Sequence, residues 1–435
     1  MVNTLLIALA QVNFTFPYLL GYSFIKYRRF LKKNLNSYNP EHKLLNIVNT
    51  AIKNVPYYRD RYKEINSLSD FKSQIKFIDK DEVMGNWENF ISSGTSKSKI
   101  ITGTTGGTSG KPLKLVIPKN RYVFELGTLY TMWANVGWKG QTRAVLRNTI
   151  LSDGVTFKIN PLKKELIFDG FRTSEVHYNA VYTTMKRYNI RFLHAYPSSA
   201  YQFCVYIKKN KLDTSIFQAF FLGSEGLLEE QRTLFKELDI KIYHWYGHSE
   251  KLVLGGYCEN SDLIHIEPTY GYFELIDEQG EHISEIGKVG EIVGTTFHNK
   301  YMPLLRYRTG DFAEYAGNYC NSCNRHLPLI KNIQGRWDKN KIYLQDKSYV
   351  SITALNLHSD LYNHINGMQY VQYVAGEIEI HLIKGESFTQ ETEKQYKLHF
   401  KKSLKGKCSF KIIYKEKIAK EQNGKFLPLK QYIND

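Results

Sequence analysis

The sequence predicts an α/β fold: a large N-terminal domain of α/β sheets with a strand-rich part, followed by a small α+β C-terminal domain. Three observations predict it. Between residues 113 and 275, short apolar runs alternate with helical patterns, as expected of strands covered by helices. Residues 270–316 then turn Gly-rich and hairpin-like, as in YGYFELIDEQGEHIS and GEIVGTTF. Beyond residue 335 a shorter segment carries strand and helix patterns of its own and has the length of a compact domain. At 435 residues the chain exceeds one ordinary core, so the expected division is 1–335 and 336–435.

The first stretch, MVNTLLIALAQVNFTFPYLL, is mildly apolar but broken by Gln11, Asn13 and Pro17. It lacks a basic leader and a small-residue cleavage site, and no window is apolar for long enough to span a bilayer. It reads as a helix packed on its own domain. Arg28, Arg29, Lys32 and Lys33 leave open a peripheral contact with the inner membrane face. Residues 40–65 look helical, and 66–99 form a polar, helix-rich approach to the unusual run TGTTGGTSGKP at 102–112. That run lies between two strand-like segments, Lys99–Thr102 and Leu113–Ile117. Further on, RFLHA (191–195), FQAFFL (217–222) and KIYHW (241–245) read as strands, and Glu229–Leu238 as a helix. In the last hundred residues, strands near 371–382 and 409–415 flank a helix at 389–404.

The formal net charge is +17. Its clusters, at 27–33 and 397–407, read as solvated faces rather than a nucleic-acid site. Five cysteines in so long a chain argue against a disulfide scaffold and for a reducing cytoplasm. Cys204 falls on an apolar helical face and reads as core, while Cys408 has no evident partner. Cys258 is followed seven residues later by His265, and Cys320-Asn-Ser-Cys323 follows further on. Three thiolates and one imidazole would close a tetrahedral zinc site with no position for water, hence a structural one. Isolated thiols or a redox pair are the alternatives.

The Gly/Thr run is not a Walker A loop, because Gly110-Lys111 is followed by Pro112 and a strand rather than by a hydroxyl and a helix. It still offers what a polyphosphate needs: close backbone approach, free N–H donors and short hydroxyls. On its own it could equally be a flexible linker. It is not alone, however. TTGGTSGKP resembles the phosphate loop of the adenylate-forming (acyl-CoA ligase-like) superfamily, in its phenylacetate–CoA ligase and CapK-type capsule-biosynthesis branch. NVPYYR (54–59), FLGSEGL (221–227), WYGHSE (245–250), PLLRYRTGD (303–311), IQGRWD (333–338) and NGK (423–425) resemble the remaining motifs in the same order.

The resemblance implies ATP- and Mg²⁺-dependent conversion of a carboxylic acid into an acyl adenylate, with release of pyrophosphate. The acyl group would then pass to a thiol or amine. CoA, an amino sugar and an amino acid all remain open as acceptor. A carboxylate is already a nucleophile at neutral pH, so the chemistry needs preorganised positive charge and N–H donors rather than a base. Thr105, Gly106, Gly107, Thr108, Ser109 and Gly110 would hold the β- and γ-phosphates, and Glu250 the Mg²⁺. Ser224 and Glu225, with Tyr246, Gly247, His248 and Ser249, would line the adenine and acyl site. Asp311 would bind the ribose, Arg336 ribose or phosphate, and Lys425 the α-phosphate and carboxylate. The C-terminal domain would be mobile and swing between half-reactions. Cys258, His265, Cys320 and Cys323 resemble a metal-bearing pattern of the same branch. His194 is expected in the pocket lining without an acid–base role. The hinge reads Arg-Trp-Asp-Lys, and LQDKSYVS replaces the usual Gly-Val-Asn segment, which weakens the case for CoA. The competing expectation is a non-catalytic, zinc-stabilised basic protein that binds nucleic acid or an anionic glycan.

Overall fold

The computed structural model describes residues 7, 21–34, 38–105, 113–334, 341–346, 348–352, 355, 361, 364–404, 406–418 and 428–433. Helices come first: α1 (Tyr22–Lys33), α2 (Glu41–Asn54), α3 (Pro56–Arg59), α4 (Leu68–Gln74) and α5 (Lys80–Gly85). Two of them start at true side-chain caps. Ser67 accepts the N–H of Asp70 and Asp79 that of Glu82, satisfying donors that the first helical turn leaves open.

Next comes the hairpin of β1 (Ile100–Thr104) and β2 (Lys114–Pro118), paired antiparallel from Ile100↔Pro118 to Thr104↔Lys114. The expected strands are there, shifted by a residue or two. Helix α6 (Arg121–Trp133) follows, then β3 (Arg143–Arg147), β4 (Phe157–Asn160), β5 (Glu165–Asp169), α7 (Glu175–Arg187) and β6 (Phe192–Ala195). After these come α8 (Pro197–Lys209), β7 (Ala219–Gly223), α9 (Glu229–Glu237) and β8 (Ile242–Gly247). The strand-rich stretch holds β9 (Leu254–Tyr257), β10 (Ile264–Ile266), β11 (Gly271–Ile276), β12 (Val289–Thr296), β13 (Tyr307–Gly317) and β14 (Leu329–Gln334).

Strands β3 to β14 form one twelve-stranded sheet, in the order β11-β12-β13-β14-β10-β9-β8-β7-β6-β3-β5-β4. Strands β5, β3, β6, β7 and β8 run parallel, β8 pairs antiparallel with β9, and pairing stays antiparallel from there to β11. The strand-rich part is therefore the antiparallel half of the same sheet. Buried on both faces, β7 (AFFLG) shows no polar alternation, as parallel strands under helices should not. Phe220 and Leu222 pack with α7 and α8 residues such as Val181 and Phe203. Ala219 and Phe221 point the other way, toward Trp133 of α6 and Phe24 of α1. Helices α2 to α5 pack over the antiparallel half.

The final region holds the ribbon β15 (Lys341–Tyr343) and β16 (Tyr349–Ser351), then β17 (Ile365–Gln372), β18 (Glu377–Lys384), α10 (Gln390–Leu404), β19 (Ser409–Tyr414) and β20 (Leu429–Gln431). The stretch near 371–382 is thus the end of one strand, a turn and most of another. Strands β19-β18-β17-β20 form a separate sheet against α10, with a core around Ile380, Tyr396 and Phe400 that also takes in Phe171 and Tyr196. Cys204 is fully buried, as expected, and Cys408 is also buried.

Candidate active site

A cleft of about 1440 Å³ runs along α9 and the length of β8 and reaches the C-terminal ends of β7 and β8, the end at which ligands bind in open α/β sheets. Ser224, Glu225, Tyr246 and Gly247 line it, together with Asn332 and Gln334 of β14. Two central motifs thus meet in one cavity, whose far wall leads directly into the hinge sequence. The geometry behind Ser224 is exacting. A Cβ on Gly223 would lie 2.4 Å from the Trp245 ring, so only glycine allows this approach. Ser224 itself adopts φ 72°, a left-handed conformation that costs a non-glycine residue on the order of 1 kcal/mol.

Glu225 is buried with its carboxylate turned away to the start of α8, where it accepts the Ser198 N–H and O–H, both at 3.0 Å. It acts as an anionic cap on the helix dipole. Its carbonyl meets Nε2 of His244 at 2.9 Å.

Tyr246 donates its hydroxyl to Asp311 Oδ2 at 2.9 Å, bridging β8 and β13 across 65 residues of sequence. Burial and the neighbouring Asp311 push the Tyr246 phenol well above its ordinary range, so it remains a donor. Asp311 is buried, and its N–H bonds Thr309 Oγ1 at 3.1 Å. In the turn after β8, Val253 donates its N–H to His248 Nε2 at 3.1 Å, which places the ring proton on Nδ1, 3.0 Å from Glu250 Oε2. Glu250 Oε1 accepts from the Tyr307 hydroxyl at 3.4 Å. Burial opposes the charge on Glu250, yet the bond from His248, the nearby positive charges and a backbone bond hold its carboxyl below the usual range. It is an ionised, oriented oxygen ligand of the kind a hard cation requires. Ser249 sits half-buried in the same turn.

Thr105 closes the neck of the Gly/Thr run. Its N–H bonds the Leu113 carbonyl and its Oγ1 accepts the Leu113 N–H, both at 2.9 Å. Gly106, Gly107, Thr108, Ser109 and Gly110 lie outside the described residues, as do Arg336 and Lys425. The hairpin leans on the segment before β13: Asn299 donates to the Val116 carbonyl at 2.8 Å. Lys114, the first residue of β2, lies 4.8 Å over the Trp87 ring.

The four sequence-predicted metal ligands converge. Cys258, His265, Cys320 and Cys323 present ligand atoms that all lie within 4.8 Å of one another. Zinc bonds of about 2.3 Å to sulfur and 2.0 Å to nitrogen at tetrahedral angles require S···S near about 3.8 Å and S···N near about 3.5 Å. Cys258 and Cys320 sulfurs are 3.8 Å apart, and Cys323 Sγ is 3.4 Å from His265 Nε2. The set fits a closed four-coordinate zinc.

His194, at the end of β6, lies beside Arg147 and between the rings of Trp133 and Trp245. Burial, with Arg147 and Arg143 nearby, pushes its pKa well below the ordinary value, so it stays neutral, consistent with no acid–base role. Arg147 and Tyr307 escaped the residue-by-residue reading. Tyr307 stood inside the PLLRYRTGD segment, whereas nothing distinguished Arg147 from the other basic residues.

No family model matches the chain. Over 394 residues it is 23% identical to Protein CapK of Staphylococcus aureus, covering 86% of this chain and 84% of CapK. Over 122 residues it is 36% identical to phenylacetate-coenzyme A ligase of Thermus thermophilus, 27% of each. Among solved structures, 2-hydroxyisobutyryl-CoA ligase in its postadenylation state superposes with a TM-score of 0.53 at 14% identity, covering 91% of this chain and 88% of that one. Its open conformation, with 2-HIB-AMP and CoA, gives 0.52, covering 91% and 90%. Fold and sequence likeness agree on a class: this is an enzyme similar to adenylate-forming ligases. In sequence its likeness is to CapK and to phenylacetate–CoA ligase.

Proposed function

We propose that this protein activates a carboxylic acid with ATP, forming an acyl adenylate and pyrophosphate, and then transfers the acyl group to a thiol or amine. The observation that carries the reading is the meeting of Ser224, Tyr246, Gly247 and, through Tyr246, Asp311 around one cleft, with Glu250 oriented and ionised in the turn that follows. In the first step a substrate carboxylate oxygen bonds to the α-phosphorus, and the bond from that phosphorus to the bridging oxygen breaks. Pyrophosphate leaves with both electrons, and no proton moves. Residues 105–110 would cradle the outgoing phosphates with N–H and hydroxyl donors. Asp311, its Oδ2 already engaged by Tyr246, would accept from the ribose hydroxyls. Mg²⁺ bound at Glu250 would offset charge on the phosphates. Arg336 and Lys425 would add the positive charge that the transition state needs.

The domain division proposed is 1–335 and 336–435. The small domain has its own sheet and meets the large one through Gln231–Tyr349 at 2.8 Å, the Lys341–Glu230 ion pair at 2.6 Å, Lys407 on Thr173 and an apolar seam at Phe171 and Tyr196, the contacts a hinged lid would part. CoA as acceptor is supported by the CoA held by the structural relative. An amine in polysaccharide or capsule assembly is the reading suggested by the likeness to CapK. The Cys/His quartet would hold a structural zinc that ties the β9–β10 turn to the loop before β14. A binding protein without catalysis leaves the Tyr246–Asp311 bridge and the oriented Glu250 without a purpose.

Carboxylate-dependent exchange of labelled pyrophosphate into ATP tests the reading, with hydroxylamine trapping the acyl product for identification by mass. Exchange should collapse in Lys425→Ala. Intact exchange in that variant, or none with any acid in the wild type, removes the proposal.

A further inference from the structure

We propose that the acid this protein activates carries a second anionic group, seated on Arg147 beside the cleft. The inference rests on the activation reading above and narrows its substrate class.

Arg147 ends β3, and its contacts come from the two strands that follow in the sheet, β6 and β7. One guanidinium nitrogen lies 2.7 Å from His194 Nε2, another donates to Ser224 Oγ at 2.8 Å, and the Tyr196 ring stacks at 4.5 Å. None of these partners is negatively charged. Buried Arg143, Arg306 and Arg325 are matched with Glu165, Glu274 and Glu259, whereas Arg121 rests on the Lys251 carbonyl and the Tyr270 ring. Arg147 has no carboxylate within ion-pair distance among the described residues. A half-buried guanidinium without a counter-ion is unfavourable until something supplies one.

The hydrogen-bond polarity identifies what is missing. Because Arg147 donates to His194 Nε2, the imidazole proton sits on Nδ1, and that buried N–H has no partner among the described residues. Because Ser224 Oγ accepts from Arg147, its own proton is free to be donated. The Ser224 hydroxyl and the His194 Nδ1–H are then donors without a named acceptor, beside a guanidinium whose charge has no counter-ion. A group that only accepts, such as a carboxylate or phosphate, meets both the guanidinium charge and the Ser224 hydroxyl, which lines the cleft. The left-handed Ser224 belongs to this cluster and to the wall of the cleft, and Trp245 likewise lines the cleft while its ring lies 5.5 Å from that of His194. Trp245, beside the donors and on the cleft wall, offers an apolar surface for the carbons that separate the two anionic ends.

A matched-pair experiment reads this directly on the full-length protein. Succinate, glutarate and adipate are each compared with their mono-amide in pyrophosphate release with hydroxylamine present, alongside ATP binding by fluorescence. At least one diacid should exceed its mono-amide roughly ten- to a hundredfold in kcat/KM, the range of a charge-assisted hydrogen bond set. Arg147→Gln should bring that ratio near one, and Arg147→Lys should restore part of it. Equal or better use of the mono-amides overturns the inference, as does a ratio unmoved in Arg147→Gln. A rise in KM for ATP matching that for the acid would make Arg147 a nucleotide ligand and also overturn it. Protein that binds ATP yet turns over none of the diacids defeats the inference alone; protein that binds no ATP defeats the activation reading itself.

Discussion

Tyr246 and Asp311 show how much a single contact settles. The phenol cannot ionise at working pH, because burial and the adjacent carboxylate both resist it, so the bond has one direction. Asp311 keeps only its remaining lone pairs for a ligand. Asp311→Asn should raise KM for ATP by roughly tenfold or more, since a ribose acceptor is replaced by a mixed donor. Glu250→Gln should lower exchange by about a hundredfold, a charge lost where Mg²⁺ would bind. Steady-state exchange at varied ATP separates the two. His244 makes a pH prediction. Burial first, against the bond to the Glu225 carbonyl and helped by Arg232, pushes it down to about 4. The unfolded chain takes up that proton near the ordinary value, so between about pH 6.5 and 4 the unfolded state binds more protons. Stability should therefore fall as pH drops through this window, by on the order of 3 kcal/mol from this residue. Urea unfolding at stepped pH should show a shallower acid limb in His244→Asn.

Among the elements, β7 and the turn after it place the site. Gly223 lets the Trp245 ring come within contact, and Ser224 then turns left-handed toward Arg147. Gly223→Ala should cost about 1–3 kcal/mol in unfolding free energy, because the indole that would have to move is packed against Trp133. It should also reduce exchange, since the Ser224 turn moves with it. The parallel strands were legible because short apolar runs between helical patterns have few other solutions, and the β1–β2 hairpin because a glycine-rich run between two strand-like segments marks a turn. The 371–382 stretch was less so. Its apolar residues run through a turn at Gly376, φ 84°, and period alone does not show where one strand ends.

In the molecule as a whole, the quartet of Cys258, His265, Cys320 and Cys323 joins segments more than fifty residues apart. Metal removal with a strong chelator, or Cys320→Ser, should lower Tm by about 5 °C or more and abolish stoichiometric zinc by elemental analysis. Sequence by itself determined the order of elements, the hairpin with its donor-rich tip, the Cys and His spacing, and the run of motifs that marks the superfamily. All of these are local, set by period, turn chemistry and short patterns along the chain. Tertiary structure alone decided that the strand-rich part continues the parallel sheet, that the Glu225 carboxylate caps a helix, and that Arg147 stands without a carboxylate. Those outcomes depend on which distant side chain arrives beside which, and hydrogen-bond and charge partners are chosen only when the sheet closes its long-range pairing.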